Sequence, residues 1–223
     1  MGDKITAVSL AAAAGVPCVP GCGALGDADE ALSIAKEIGY PVLIKATAGG
    51  GGRGMRVVRD ASELSAQMAS AASEAGSAFG DETIYMEKFI EEARHVEIQI
   101  MGDQLGNIVH LGERECSTQR RHQKLIEESP SPAIEDALRK QMADCAIGLA
   151  RAAHYFGAGT VEFVVDARDS RFYFLEMNTR IQVEHPVTEF GDRNRPSRRA
   201  DPGRARFAVV VLPRESETER PCH

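Results

Sequence analysis

Two strand-like runs, Thr160-Val-Glu-Phe-Val-Val-Asp166 and Arg171-Phe-Tyr-Phe-Leu-Glu-Met177, stand four residues apart, and no other feature constrains the chain as much. Both are rich in β-branched and aromatic residues, and Ala167 to Ser170 suits a turn, so they read as an antiparallel hairpin. Closure at that turn sets Glu162 and Glu176 almost opposite each other on neighbouring strands. Facing cross-strand positions lie about 5 Å apart at Cβ, near enough for two carboxylates to grip one or two divalent ions. Glu162 sits among Val161, Phe163, Val164 and Val165, and Glu176 between Leu175 and Met177. Carboxylates in such apolar company are uncommon without a partner. Mg²⁺ favours one or two carboxylates together with substrate phosphates, which fits the pair. The plainer alternative is an edge hairpin whose acids face solvent.

A second signal lies upstream. Tyr40-Pro-Val-Leu-Ile-Lys45 reads as a strand running into Ala46-Thr-Ala-Gly-Gly-Gly-Gly-Arg-Gly54, and Met55-Arg-Val-Val-Arg59 reads as its returning partner. Consecutive glycines bring backbone N–H groups close to phosphate oxygens, and Lys45 ends the strand where it reaches the same anion. The lysine precedes the glycines, so this is neither a P-loop nor a dinucleotide fingerprint. A flexible hairpin tip with a solvent-facing lysine is the bland reading.

Around these signals the pattern is mixed helix and strand. Helices are expected over Lys4 to Ala14, Asp29 to Ile38, Ala61 to Ala75 with Ser62 as cap, and Ile134 to Tyr155. Val16 to Gly26 reads as loop. Strands are expected over Thr83 to Lys88, His95 to Met101 and Asn107 to Glu113. The fold class is α+β, with a small unit over about residues 27–90.

The dense polar run from Arg114 to Lys124, with Gln119 and His122 inside it, reads as a solvated loop or as an anion-binding lid of arginine forks and a lysine point charge. Arg180, Gln182 and Glu184 alternate after the hairpin, so an extended backbone points all three one way. Arg180 then orients a small anion and Glu184 takes its proton; a surface charge is the alternative.

Charge excludes one class. Residues 1–189 hold six lysines and twelve arginines against 28 acids, a net of −10, which gives no support for nucleic-acid binding. Residues 190–223 hold eight arginines against five acids, lack apolar periodicity, and carry features of disorder, although Phe207 to Leu212 reads as a strand or a sticky segment. The five cysteines, at 18, 22, 116, 145 and 222, form no zinc pattern and favour a reducing compartment. No apolar run approaches the roughly 18 residues that span a membrane. Met1-Gly-Asp-Lys-Ile-Thr6 fits a myristoylation start only by a short match.

Five blocks carry a resemblance: Lys45 to Arg56, His95-Val-Glu-Ile-Gln99, Glu113-Arg-Glu-Cys-Ser117, Gln119-Arg-Arg-His-Gln-Lys124, and Glu176-Met-Asn-Thr-Arg-Ile-Gln-Val-Glu-His-Pro-Val-Thr-Glu189. In order and spacing the chain resembles, from Met1 to Glu189, the ATP-grasp region of the biotin carboxylase component of acyl-CoA and pyruvate carboxylases. The resemblance implies a glycine-loop lid subdomain at 27–90 and part of a larger antiparallel-sheet subdomain at 91–189. Residues 1–26 are then a linker helix and loop, and 190–223 an atypical tail.

The resemblance also implies ATP-dependent carboxylation of biotin on a carrier, with bicarbonate as carbon source. It matches Lys4, Lys45, Gly50, Gly51, Gly52, His95, Gln119 and His122 to positions around ATP, and Glu87, Lys88 and Ile90 to the adenine-side hinge. Glu162, Glu176 and Asn178 match a Mg²⁺ or Mn²⁺ site. Lys124, Arg180, Gln182, Val183 and Glu184 match the bicarbonate pocket, with Glu184 as base. Implied partners are a biotin carboxyl carrier, a carboxyltransferase component and, in the family, a second copy. Cytoplasm is the expected location, with a mitochondrial matrix as alternative.

Family members resemble a three-part chain, so this one is expected to be truncated at both ends, without the region that orients biotin. An inactive ATP-binding fragment is therefore the second reading. Another ATP-grasp ligase, such as a carbamoyl-phosphate synthetase, is the third, and Arg180-Ile-Gln-Val-Glu-His-Pro186 argues against it.

Overall fold

The computed structural model describes residues 4–48, 55–120, 123–193 and 208–211. Its smaller sheet has the order β1-β4-β2-β3 and is antiparallel throughout. Strand β2 (Val42–Ala46) lies between β3 (Arg56–Val58) and β4 (Ile84–Lys88), and β1 (Gly21–Ala24) pairs with the far edge of β4. Helices α2 (Ala28–Ile38) and α3 (Ala61–Phe79) bury Ala31, Ala35, Leu64 and Ala71 against Val42, Ile44, Val58, Ile84 and Met86. Strand alternation then leaves Lys45, Tyr85 and Glu87 on the opposite face, half-buried.

Local chemistry explains the boundaries. The Asp27 carboxylate accepts from the N–H groups of Asp29 at 3.1 Å and Glu30 at 2.9 Å, and Gly39 ends α2 with φ 79°. At α3 the cap is Asp60, which accepts from Ser62 N–H at 2.8 Å; the expected cap, Ser62, lies inside the first turn. Strand β1 was expected to be loop. Its glycine is explained by close packing, since a Cβ on Gly21 would come within 2.7 Å of the Met86 carbonyl. The small sheet therefore begins at Gly21, ahead of the expected residue 27.

The larger sheet has the order β10-β7-β6-β5-β8-β9. It comprises β5 (Ala93–Gly102), β6 (Ile108–Arg120), β7 (Gln123–Ser129), β8 (Gly157–Asp166), β9 (Phe172–Asn178) and β10 (Ala208–Val211). On one face Val96, Ile98, Ile100, Val161, Phe163, Val165 and Phe174 form a core with α1 (Lys4–Ala13) and α4 (Asp136–Ala152). The alternate residues His95, Glu97, Gln99 and Glu162 point to the other face. There they meet the segment Gln182 to Glu184 and helix α5 (His185–Arg193), and Glu97, Gln99 and Glu162 are buried. The sheet thus has an apolar face and a polar interior face.

That second layer accounts for the largest departure from the sequence reading. The run from Arg114 was expected as loop or lid, but β6 continues through Arg120 and returns as β7 from Gln123. Helix α5 runs four residues past the expected boundary at 189, and within Phe207 to Leu212, read as a strand or a sticky segment, β10 pairs with β7 with Val210 opposite Glu127. Gly50, Gly51, Gly52 and His122, with the rest of the Arg/Pro-rich tail, lie outside the described residues.

Candidate functional site

The hairpin register places Glu162 directly opposite Glu176 and Thr160 opposite Asn178. Glu162 is buried among donors. Its Oε1 accepts from Asn178 Nδ2 at 3.0 Å, Gln182 Nε2 at 3.1 Å and Lys124 Nζ at 3.2 Å, and its Oε2 lies 2.9 Å from His95 Nε2. Burial opposes the charge on Glu162, but His95, Lys124 and Gln182 together hold its carboxyl well below the usual range. Gln119 Nε2, 2.8 Å from His95 Nδ1 and 2.7 Å from the Cys116 carbonyl, fixes the imidazole from behind.

Lys124 is the hub. Its ammonium donates to Glu97 at 2.5 Å, Glu184 at 2.6 Å and Glu162 at 3.2 Å. Burial pulls its proton affinity down, yet Glu97 and Glu162 override that and hold it above the ordinary lysine value. Behind it, Arg114 is fully buried. Its Nε bonds Glu97 at 2.5 Å, Nη1 bonds Gln99 at 2.8 Å and Thr188 at 2.7 Å, and Nη2 reaches Thr160 at 3.3 Å and Gln182 at 3.4 Å. A planar fork with several donors suits this ring of oxygens, where a lysine would not. It ties β5, β6, β8 and α5 into one unit.

On the small sheet, Lys45 forms an ion pair with Glu87 and lies 6.0 Å from the Tyr85 ring centroid. Burial, followed by the charges of Glu87 and Glu176, raises the Tyr85 phenol above its ordinary value. A cavity of about 260 Å³ opens beside Glu87, lined by Val19, Cys22, Tyr85 and Leu175 among others.

The expected residues divide into those brought together and those held apart. Lys124, Gln182, Glu184, Glu162, Asn178, His95 and Gln119 form one connected cluster. Arg180, expected to point the same way as Gln182 and Glu184, is instead exposed, and among the described residues it bonds the Ile181 carbonyl, at 3.3 Å. The backbone there bends and then turns into α5, so the alternation holds for Gln182 and Glu184 but not for Arg180. Val183 is 70% exposed. The Lys88 side chain turns away and caps the end of α2 through the Gly39 and Tyr40 carbonyls, at 3.0 and 2.9 Å. Ile90 is half-buried in the connection between the sheets, and Lys4 is the first residue of α1.

The sequence reading missed Glu97 and Thr188 and placed Arg114 in a loop or lid instead of the polar interior. The signal for Glu97 was present: it alternates with Val96, Ile98 and Ile100, as Glu162 does with its neighbours. His95, Glu97 and Glu162 present ligand atoms within 4.8 Å of one another, a spacing suited to an ion. Lys124 already supplies the positive charge between Glu97 and Glu162, so this trio is a poorer metal site than the Glu162/Glu176 pair.

Residues 3–191 match the family model for the carbamoyl-phosphate synthase L chain, ATP binding domain. The chain belongs to this family. Within it, the domain is of the biotin carboxylase type. It is 58% identical over 190 residues to a biotin carboxylase of Nostoc sp., covering 85% of this chain and 42% of that protein. The crystal structure of a biotin carboxylase–beta-gamma-ATP complex from Campylobacter jejuni superposes with a TM-score of 0.82 at 55% identity, covering 86% of this chain and 43% of that one. The biotin carboxylase domain of the Hydrogenobacter thermophilus 2-oxoglutarate carboxylase, in complex with MgADP, ADP and bicarbonate, gives a TM-score of 0.81 at 50% identity, covering 86% and 42%. The ATP-grasp domain thus spans about two fifths of the length of these relatives. No helix among the described residues is long and apolar enough to cross a membrane.

Proposed function

We propose that the chain is the ATP-grasp portion of a biotin carboxylase, which phosphorylates bicarbonate with ATP and passes the carboxyl group to biotin on a carrier. The observation that carries this reading is the Lys124 hub, with Glu184 on one side and Glu162, opposite Glu176, on the other. A proton acceptor and a phosphate-facing carboxylate pair are thereby held in one charged interior. The structures of the Hydrogenobacter relative with MgADP and bicarbonate support the choice of ligands.

The residues fit a divalent cation. Among the described residues nothing hydrogen-bonds or pairs with the Glu176 carboxylate, and Asn178 gives Glu162 its amide N–H. Hard oxygen donors of this kind suit Mg²⁺ or Mn²⁺. When bound with ATP, the ion supplies neutralisation of phosphate charge.

The chain's own side chains do the rest. Lys45 and its loop receive the phosphates, with Lys45 exchanging Glu87 for phosphate oxygen. Lys124 holds the bicarbonate anion beside Glu184. As a bicarbonate oxygen bonds to the γ-phosphorus, the bond from that phosphorus to the ADP oxygen breaks and the bicarbonate proton passes to Glu184. Carboxyphosphate and ADP result. The fixed Lys124 and Arg114 charges stabilise the developing anion without reorganising. Carboxyphosphate then delivers its carboxyl group to a biotin ureido nitrogen, which implies a carrier and, downstream, a carboxyltransferase.

The test is ADP release by the full chain with Mg²⁺, with and without bicarbonate and free biotin, beside Glu184→Gln. Bicarbonate-dependent release that the variant loses supports the reading; release indifferent to bicarbonate overturns it. The exposure of Arg180 favours one second reading, in which the chain binds MgATP without turnover because its anion clamp is incomplete. Calorimetric MgATP binding without ADP release would establish that alternative.

A further inference from the structure

The two sheets keep separate cores. Among the described residues, the buried apolar side chains of the small sheet and those of the large sheet form two clusters with no member in common. The chain passes between them twice. In the first passage the Pro17 carbonyl accepts from Phe174 N–H of the large sheet at 2.7 Å, and the Pro20 carbonyl accepts from Lys88 N–H of the small sheet at 2.7 Å. In the second, Phe89 N–H donates to the Pro41 carbonyl on the small-sheet side at 3.1 Å, and the Glu92 carbonyl accepts from Ala167 N–H on the large-sheet side at 2.9 Å. The stretches left to bend are residues 18–19 and 90–91. Short connections of this kind absorb the dihedral change when two packed bodies move about a hinge.

Glu91 stands at the second pivot and is held from both sides. Its Oε1 lies 3.2 Å from Arg59 Nη1, and its Oε2 lies 3.7 Å from Arg168 Nη1. Arg59 belongs to the small body: it follows β3, and its backbone N–H donates to Glu63 of α3 at 3.3 Å. Arg168 belongs to the large one: it sits in the turn between β8 and β9, where Asp166 fixes its guanidinium through Nε at 3.0 Å and Nη2 at 2.7 Å. One carboxylate therefore joins an arginine of each body across the pivot.

All three side chains are exposed, so each pair is weak singly and is screened by salt. A hinge angle is a soft coordinate, however, and a pair too weak to matter for folding can still bias it. Removing the Glu91 charge does more than lose two attractions, because it leaves Arg59 and Arg168 facing each other with like charge. The carboxylate thus decides whether this edge of the hinge is drawn together or pushed apart. The cavity lined by Tyr85 and Glu87 of the small sheet and by Phe174 and Leu175 of the large one lies between the two bodies, so its width follows the same angle.

We propose that Glu91 is a hinge brace: by bridging Arg59 and Arg168 it holds the small and large sheets at a defined angle and so sets the width of the cleft between them. That the cleft admits a nucleotide rests on the function proposed above. The brace itself does not.

The experiment measures distances by double electron–electron resonance on the full chain without nucleotide. Spin labels go on Ser70 of α3 and Gln141 of α4, both exposed, through click-reactive residues that leave the native cysteines untouched. The wild type is expected to give a narrow distribution, which Glu91→Gln shifts and widens. Arg59→Gln widens it with a smaller shift, because no like charge is left to repel Arg168. Salt at about 1 M, where the screening length falls to roughly 3 Å, moves the wild type towards the variants. A distribution unchanged by Glu91→Gln, or a wild type indifferent to salt, overturns the proposal. The wild-type salt series decides alone if a variant fails to fold. MgADP binding is scored separately by calorimetry. Its absence from a chain whose distances respond to Glu91 would sink the proposed function and leave the brace standing, and binding by a chain whose distances ignore Glu91 would do the reverse.

Discussion

Replacing Lys124 by Met removes one cation from three buried carboxylates and so measures what holds the polar interior together. The Lys124 side chain is 17% exposed, and those of Glu97, Glu162 and Glu184 are 0%, 6% and 9% exposed. Removing one partner of a buried ion pair costs about 3–5 kcal/mol, because the other charge is stranded. Glu97 keeps Arg114, and Glu162 keeps His95, Asn178 and Gln182, so Glu184 suffers most. A loss of about 4 kcal/mol follows, a large share of the roughly 5–15 kcal/mol that a domain possesses. Urea unfolding gives the value, with the midpoint falling and the slope unchanged. A deficit below about 1 kcal/mol, the worth of an exposed pair, refutes the reasoning.

Glu127→Gln acts in the opposite direction. The Glu127 carboxyl is raised to about 7, so its contribution is complete below the usual value of 4.5 and is lost as pH rises through about 7, up to about 3 kcal/mol in all. The variant should flatten that decline in chemical denaturation and be more stable than the wild type above neutral pH. Thr188→Val leaves one Arg114 N–H without its 2.7 Å acceptor and should cost about 1–3 kcal/mol by the same assay. Asp60→Ala removes the α3 cap and should cost about 1 kcal/mol, while Ser62→Ala should cost less. Glu176→Gln should weaken the Mg²⁺ dependence of nucleotide binding in calorimetry while leaving the melting temperature nearly unchanged, because nothing among the described residues bonds the carboxylate.

The parts of the fold legible in the sequence are those where local geometry decides. The turn after Asp166 set the register that pairs Glu162 with Glu176, and Gly39 ended α2 where a left-handed residue was needed. The polar blocks pointed to the right family because their order and spacing are specific. Strand β6 was not legible beyond Glu113, because its next residues are polar on a face that is itself buried. Alternation of apolar with polar normally separates core from solvent, and here it separates core from a second interior. Arg114 looked like lid charge for that reason, and its partners Gln99, Thr160 and Thr188 come from distant parts of the chain. Arg180 failed in the opposite sense: period two predicted an inward direction, but the backbone bends at that residue before entering α5. Glu127 carried no signal, since only the folded arrangement shows that its oxygens meet no donor among the described residues.

The most direct measurement supplies bicarbonate labelled with heavy oxygen to the full chain with MgATP and weighs the inorganic phosphate formed. Transfer of one labelled oxygen into phosphate is the predicted result, because the bicarbonate oxygen that bonds to the γ-phosphorus stays with it when carboxyphosphate breaks down. Phosphate that forms with only solvent oxygen would mean that water is the nucleophile, contradicting the assignment of Lys124 and Glu184 to bicarbonate.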